Sequence, residues 1–236
     1  MAKMAEEYKK ISLTKFVFSI LYVLLYPILI LLLSGDWLWL EGLLFGIWFV
    51  SFSVITLLFL YLRDPYLLAE RFKMPGARGE KKWDKYFMFV LMPAFFVWIT
   101  IMPLDAKRYG WTASFPVGLK VLGGIFLLSS AVLLFLAMAE NTFASALVRI
   151  QTERKQRVID TGVYSIIRHP MYLGGTLMFV GAPMMLSSLY GIIAGLALSL
   201  LFVGRIFGEE KMLDEELEGY KAYKNKVRYR LIPFVW

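Results

Sequence analysis

The sequence predicts an all-α integral membrane protein of about six transmembrane helices, the last two joined as a hairpin, with amphipathic segments at the cytoplasmic face. Three observations carry this. Of 236 residues, 59% are hydrophobic, against about 45–50% in an ordinary soluble chain, and the mean hydropathy is +0.63. The excess is gathered into long runs, and about 20 apolar residues cross a bilayer as a helix. The basic residues behind the net charge of +8 collect in every second link between those runs, the Lys/Arg asymmetry that orients membrane helices.

The first run covers roughly 14–34, with Pro27 as a kink point, and the second roughly 37–62, with Trp37 and Trp39 at an interface and Glu41 shallow enough to reach water. The third, roughly 86–104, is interrupted by Pro93, and the fourth is roughly 116–139. The fifth and sixth, roughly 171–187 and 189–207, read as a tight hairpin turned at SSLYG. Proline suits the first turn of a helix, so the fifth begins at Pro170. The N-terminus carries Lys3, Lys9, Lys10 and Lys15, and the links at 63–86 and 140–170 and the C-terminal tail are equally basic. The links at 34–36 and 104–115 and the hairpin turn are short and poor in base. If all six runs cross, every basic segment lies on one side, and both termini are cytoplasmic. Residues 1–139 form an N-terminal four-helix region, and residues 140–236 a C-terminal region that carries the chemistry, within one integrated domain.

Two cytoplasmic segments read as structured. Residues 140–157 place Phe143, Leu147 and Ile150 at helical spacing, and 209–227 place Leu213, Leu217 and Tyr220 on one face of a helix continuing from the sixth span. Function classes are bounded as well. Without cysteine there is no disulfide, thiolate nucleophile, or zinc–sulfur or iron–sulfur site, and the single histidine, His169, argues against a metal site built on imidazoles, so no metal is expected. The basic balance is explained by anionic lipid headgroups and topology rather than by nucleic acid. The N-terminal MAKMAEEYKK has no secretory-signal pattern.

Ionisable groups at a membrane edge are costly and are functional candidates by default. They fall in three sets: GVYSIIRHPMYLGG at 162–175, GRIFGEEKML at 204–213 and VRYRLIPF at 227–234. In the second set Arg205 and Glu209 share a helix face. Alone they read as a helix-end ion pair, but the neighbouring Glu210 is one carboxylate more than such a pair needs. Gly204 and Gly208, like Gly191 and Gly195, are spaced for close approach of a helix or a ligand.

In order, R-H-P-x-Y-x-G, R-x3-E-E-x2-L, Y-x2-Y and R-x2-P resemble the isoprenylcysteine carboxyl methyltransferase family and the wider group of integral-membrane methyltransferases that includes the phospholipid N-methyltransferases. The resemblance covers roughly 140–236; the first four spans match only in hydrophobicity. The ERFK…KKWDK stretch looks like prokaryotic members, implying a prokaryotic cytoplasmic membrane. The resemblance implies S-adenosyl-L-methionine as methyl donor, bound at the cytoplasmic face by the last two spans and their flanks. It implies that the turn from Val158 through Gly162 to Tyr164 lines the adenosine pocket. It also implies cofactor contacts at Arg168, His169, Tyr172, Gly174, Glu209, Glu210 and Arg230, with Arg205 and Glu209 at the reacting centre. A Rossmann methyltransferase is not indicated, since no glycine-rich turn follows a predicted strand.

The acceptor implied is a lipid or lipid-anchored molecule, entering from the bilayer. A carboxylate acceptor is already ionised and needs an orienting cation, for which the planar fork of Arg205 is the candidate. An amine of a phospholipid, or a small thiol, needs a proton removed instead, by Glu209 or Glu210. Two rivals stand beside these readings. One is an NADPH-dependent enzyme similar to membrane sterol reductases. The other is a transporter or scaffold, against which the apolar mid-span positions argue.

Overall fold

The structure is a computed structural model and describes residues 12–236, so Lys3, Lys9 and Lys10 lie outside the described residues. The chain forms α1 (Leu13–Ser34), α2 (Leu40–Arg63), a short α3 (Pro65–Arg71), α4 (Lys82–Pro103), α5 (Val117–Glu140), α6 (Pro170–Leu186), α7 (Leu189–Glu216) and a short α8 (Tyr220–Lys226). α4 runs on through a single π turn at Leu104–Arg108, and 3-10 turns occur at Thr152–Arg154 and Gly162–Ser165.

The helix boundaries follow local chemistry. Ser12, Asp64 and Ser188 each cap a helix by accepting a backbone N–H three residues on. Gly35, with φ of 74°, ends α1 in the left-handed region. Pro170 occupies the first turn of α6, as expected, and Ser187 at φ of 69° ends it. α1, α2, α4 with its π turn, α5 and α7 are long and apolar enough to cross a membrane, judged by length and composition. α6 has 17 residues, about 25 Å at 1.5 Å per residue, at the short end of what spans a hydrocarbon core.

Contacts between links show how the helices run. At one end Lys107 pairs with Asp36 and Lys120 with Glu41, each at 2.9 Å. There, too, the buried Asp105 accepts from Thr112 and from Ser188 Oγ and Tyr190 N of the hairpin turn. At the other end Arg149 pairs with Glu70, Val148 N donates to Asp84, and Lys81 pairs with Glu216. The basic links and the tail therefore gather at one end and the base-poor links at the other, as six successive crossings require.

Trp98, Met102, Phe179, Leu198 and Phe202 form the core between α4, α6 and α7, and Trp98 Nε1 donates to the Phe179 carbonyl at 3.0 Å. α6 and α7 approach so closely that a Cβ at Gly195 would lie 2.0 Å from that same carbonyl oxygen. Outward positions such as Phe18, Ile47, Val121 and Leu200 are exposed apolar residues, the dress of a lipid-facing surface rather than a watery one.

Three local expectations differ from the structure. The helix expected to run on over 209–227 stops at Glu216, turns at Gly219 with φ of 84°, and resumes as α8, so Leu213, Leu217 and Tyr220 do not share one continuous helix face. Residues 141–151 are not helical despite the spacing of Phe143, Leu147 and Ile150. Side chains satisfy their backbone instead: from outside the loop Arg71 reaches Ala144 O and Asp84 accepts Val148 N, and within it Gln151 Nε2 donates to Phe143 O. The apolar spacing records burial of a pinned loop, not a helix face. Trp39, expected at an interface with Trp37, is buried, while Trp37 is exposed.

Candidate active site

The three motif sets, far apart in sequence, meet at the basic end of the bundle. The backbone N–H groups of Arg168 and His169 donate to the carbonyls of Tyr229 and Arg230, each at 2.9 Å, beside a parallel bridge between Ile167 and Tyr229. Arg168 Nη1 donates to the carbonyls of Val227 and Arg228 at 2.7 and 2.8 Å. Buried Glu210 completes the junction. It accepts from Arg168 Nε at 2.7 Å and Arg230 Nε at 2.9 Å, and His169 Nε2 lies 3.2 Å away. A carboxylate this deep is tolerable because cations surround it. The tail is thus clasped onto the segment that starts α6.

Successive residues on a helix point about 100° apart, so Glu209 turns away from this clasp and into a cavity of ≈ 330 Å³. Its Oε2 accepts from Tyr172 Oη at 2.5 Å. Val158, Tyr164, Arg168, His169, Tyr172 and Arg205 line the same cavity. Arg71, Asn141, Tyr220 and Tyr223 add polar groups, while Met88, Leu91 and Phe202 supply an apolar wall. Burial, with the charges of nearby carboxylates, pushes the Tyr164 and Tyr220 phenols above their ordinary range, so both are neutral hydrogen-bonding groups. The Tyr220 hydroxyl is buried and has no partner among the described residues.

Arg205 does not pair with Glu209. Its Nε and Nη2 grip the two oxygens of Asp84 at 2.8 and 3.1 Å, and Nη2 also donates to Ala146 O at 2.7 Å. The guanidinium lies over the rings of Phe87 and Tyr172, 5.2 and 5.9 Å from their centres. The fork expected to receive an acceptor carboxylate is therefore occupied by Asp84, and only Nη1 makes none of these contacts.

The cavity does not include four of the sequence-predicted positions. Glu210 and Arg230 belong to the tail clasp. Gly174 serves helix packing: a Cβ there would lie 2.7 Å from Leu134, and its carbonyl accepts from Ser130 Oγ. Gly162 is exposed, at φ of 53°, turned toward Glu140. The small-residue spacing divides as well. Gly191 and Gly195 admit neighbouring helix atoms and Gly208 admits Trp83, whereas Gly204 faces open space. Sequence reading missed Asp84 and Arg71. Both lie inside the ERFK…KKWDK stretch, and the available signal was a run of charges beside apolar spans.

An all-helical membrane bundle with a mixed polar and apolar cavity at its basic end, walled by the last helix pair, the loop before it and the tail, is the class that fold and site define. Comparison with known proteins narrows the class. Residues 119–219 match the family described as phospholipid methyltransferase. The chain is 30% identical over 131 residues to protein-S-isoprenylcysteine O-methyltransferase B of Arabidopsis thaliana, covering 55% of this chain and 63% of that one. It thus spans less than two thirds of that relative's length. A solved structure of a eukaryotic intramembrane Ras methyltransferase, isoprenylcysteine carboxyl methyltransferase, matches with a TM-score of 0.51 at 22% identity, over 89% of this chain and 73% of that one. The resemblance read from the motifs agrees with these comparisons, and the likeness to the solved structure, which is one of fold alone, takes in 89% of the chain.

Proposed function

We propose that this protein transfers a methyl group from S-adenosylmethionine to a hydrophobic, lipid-borne acceptor, at the end of the bundle where the basic links gather, and that this end faces the cytoplasm. The observation that carries the reading is the cavity itself. Its volume lies in the ~300–1,000 Å³ range of small-ligand sites, and residues from the R-H-P-x-Y, R-x3-E-E and Y-x2-Y motifs line it. The sequence and fold likeness to membrane methyltransferases supports it, as does the use of S-adenosylmethionine in those families.

The residues fit such a cofactor. The buried Tyr220 hydroxyl lacks a partner among the described residues, and a buried polar atom is costly unless a ligand satisfies it. Glu209 Oε1 has no hydrogen-bond partner among the described residues and can accept from an ammonium or a ribose hydroxyl. Val158 and Tyr164 offer an apolar and aromatic wall for a purine, and the tyrosine faces suit a cationic group. When bound, S-adenosylmethionine supplies a sulfonium-activated methyl group that is transferred by direct displacement. The protein's own part is positioning, the main lever such a displacement offers. The Asp84–Arg205 pair fixes the wall of the cavity, and the Glu210 clasp holds the tail against it.

For the acceptor, the reading favoured is a carboxylate, in keeping with the O-methyltransferase activity named for the Arabidopsis relative. A phospholipid amine is the second reading, favoured by the family match over 119–219. In that case Glu209 takes the role of base, since Glu210 is held by three cationic or imidazole groups. The test is incubation of the purified protein with lipid extract and methyl-labelled S-adenosylmethionine. Label is expected in the organic phase. If it is released as methanol by mild base, the product is an ester; if it survives base, it is an N-methyl lipid. No label above a heat-treated control contradicts the proposal.

A further inference from the structure

The last residue of α3, Arg71, lines the cavity, yet among the described residues no carboxylate lies within ion-pair distance of it. The other buried or half-buried arginines around the site differ. Arg149 pairs with Glu70, Arg168 and Arg230 with Glu210, and Arg205 with Asp84. Arg157 also lines the cavity, but it is exposed and water can solvate it. Among the described residues Arg71 donates only through Nη1, to Ala144 O at 3.1 Å. Burial holds its pKa below the ordinary arginine value, and the nearby Arg205 charge acts in the same direction. A cation at a helix C-terminus is favourable, but that interaction does not require withdrawal from water. Buried cations normally have an anionic partner.

The surroundings indicate what kind of anion. Ala144 belongs to an apolar cluster with Phe16, Leu60, Leu67, Leu68 and Met138, contributed by α1, α2, α3 itself and α5. Arg71 therefore stands where a polar cavity borders hydrocarbon-like packing. It also lies outside the segment that matches the phospholipid methyltransferase family.

We propose that Arg71 is the specificity residue for the acceptor, its unengaged guanidinium edge receiving the oxyanion of a hydrophobic molecule, either a carboxylate or a lipid phosphate. Arg205, taken up by Asp84, does not fill this role. The identity of the anion as a methyl acceptor rests on the methyl-transfer reading; the binding itself does not.

The test uses the full chain in phosphatidylcholine nanodiscs, measured against empty ones, with three probes of equal chain length: decanoate, decyl phosphate and decanol. Wild type is expected to bind at least one anion more than tenfold tighter than decanol, about 1.4 kcal/mol. Preference for decanoate assigns a carboxylate, and preference for decyl phosphate assigns a phosphate. Arg71→Gln is expected to lose that preference while its affinity for S-adenosylmethionine stays within twofold. Arg71→Lys, which keeps the charge should the Gln variant fail to fold, is expected to retain part of it. No anion preference in wild type, or a preference unchanged in both variants, overturns the proposal. So does a loss confined to S-adenosylmethionine affinity, which assigns Arg71 to the cofactor. Absence of S-adenosylmethionine binding to wild type contradicts the methyl-transfer reading alone, because the alkyl probes report separately.

Discussion

Arg205 on α7 and Asp84 on α4 form a bidentate pair across 121 positions of sequence, fully withdrawn from water on the carboxylate side. Removing one partner of such a pair leaves a buried charge uncompensated, at a cost of about 3–5 kcal/mol. Asp84→Asn is therefore expected to lower thermal stability sharply, and the double variant Asp84→Leu with Arg205→Met to recover much of it. If the pair also shapes the cavity, the recovered double variant remains inactive in methyl transfer. Thermal unfolding and the labelled-methyl assay on the same preparations check both parts.

Glu209 and Glu210 are neighbours with separate duties. Glu210→Gln loosens the junction with Arg168, His169 and Arg230, so it is expected to lower the melting temperature and expose residues 217–236 to protease. Glu209→Gln loses a single acceptor position, toward Tyr172 and the cavity. It is expected to melt like wild type yet bind S-adenosylmethionine more than tenfold more weakly. Limited proteolysis and calorimetry on the two variants separate the roles.

A methyl group added at Gly195 meets the Phe179 carbonyl. Overpacking of this kind costs about 1–3 kcal/mol or more, and here the obstacle is backbone. Gly195→Ala is expected to reduce the yield of folded protein and its melting temperature, whereas Gly204→Ala, which meets no atom within 4 Å, leaves both unchanged. Equal behaviour of the two variants contradicts the close packing of α6 on α7.

With no cysteine in the chain, single cysteines report sidedness cleanly. Lys85→Cys, Lys155→Cys and Lys221→Cys are expected to react with an impermeant maleimide from one and the same side, the cytoplasmic side under the proposed orientation, and Tyr109→Cys from the opposite side. Labelling of Lys155→Cys and Lys221→Cys from different sides breaks the six-crossing arrangement.

What was legible in the sequence was local. Apolar runs marked the long helices, Pro170 marked where α6 starts, and the link charges marked which ends meet. The ordered motifs around His169, Glu210 and Arg230 announced a shared site, and the structure joins those three residues. What escaped has two physical origins. The partner of Arg205 is set by tertiary packing, and Asp84 sits in a charged link with no periodicity to single it out. The 141–151 loop carries apolar residues because it is buried, so its spacing resembled a helix while its backbone bonds went to Arg71, Asp84 and Gln151. The split between Glu209 and Glu210 was readable in principle from helix geometry, since adjacent residues face different ways.

The central claim is that S-adenosylmethionine occupies the cavity beside Glu209. Calorimetry of that ligand on the purified full chain in nanodiscs, alongside the Glu209→Gln variant, tests it most directly. The account predicts saturable binding to wild type, with at least a tenfold loss in the variant. Absence of binding to folded wild-type protein, or equal affinity in both, contradicts it.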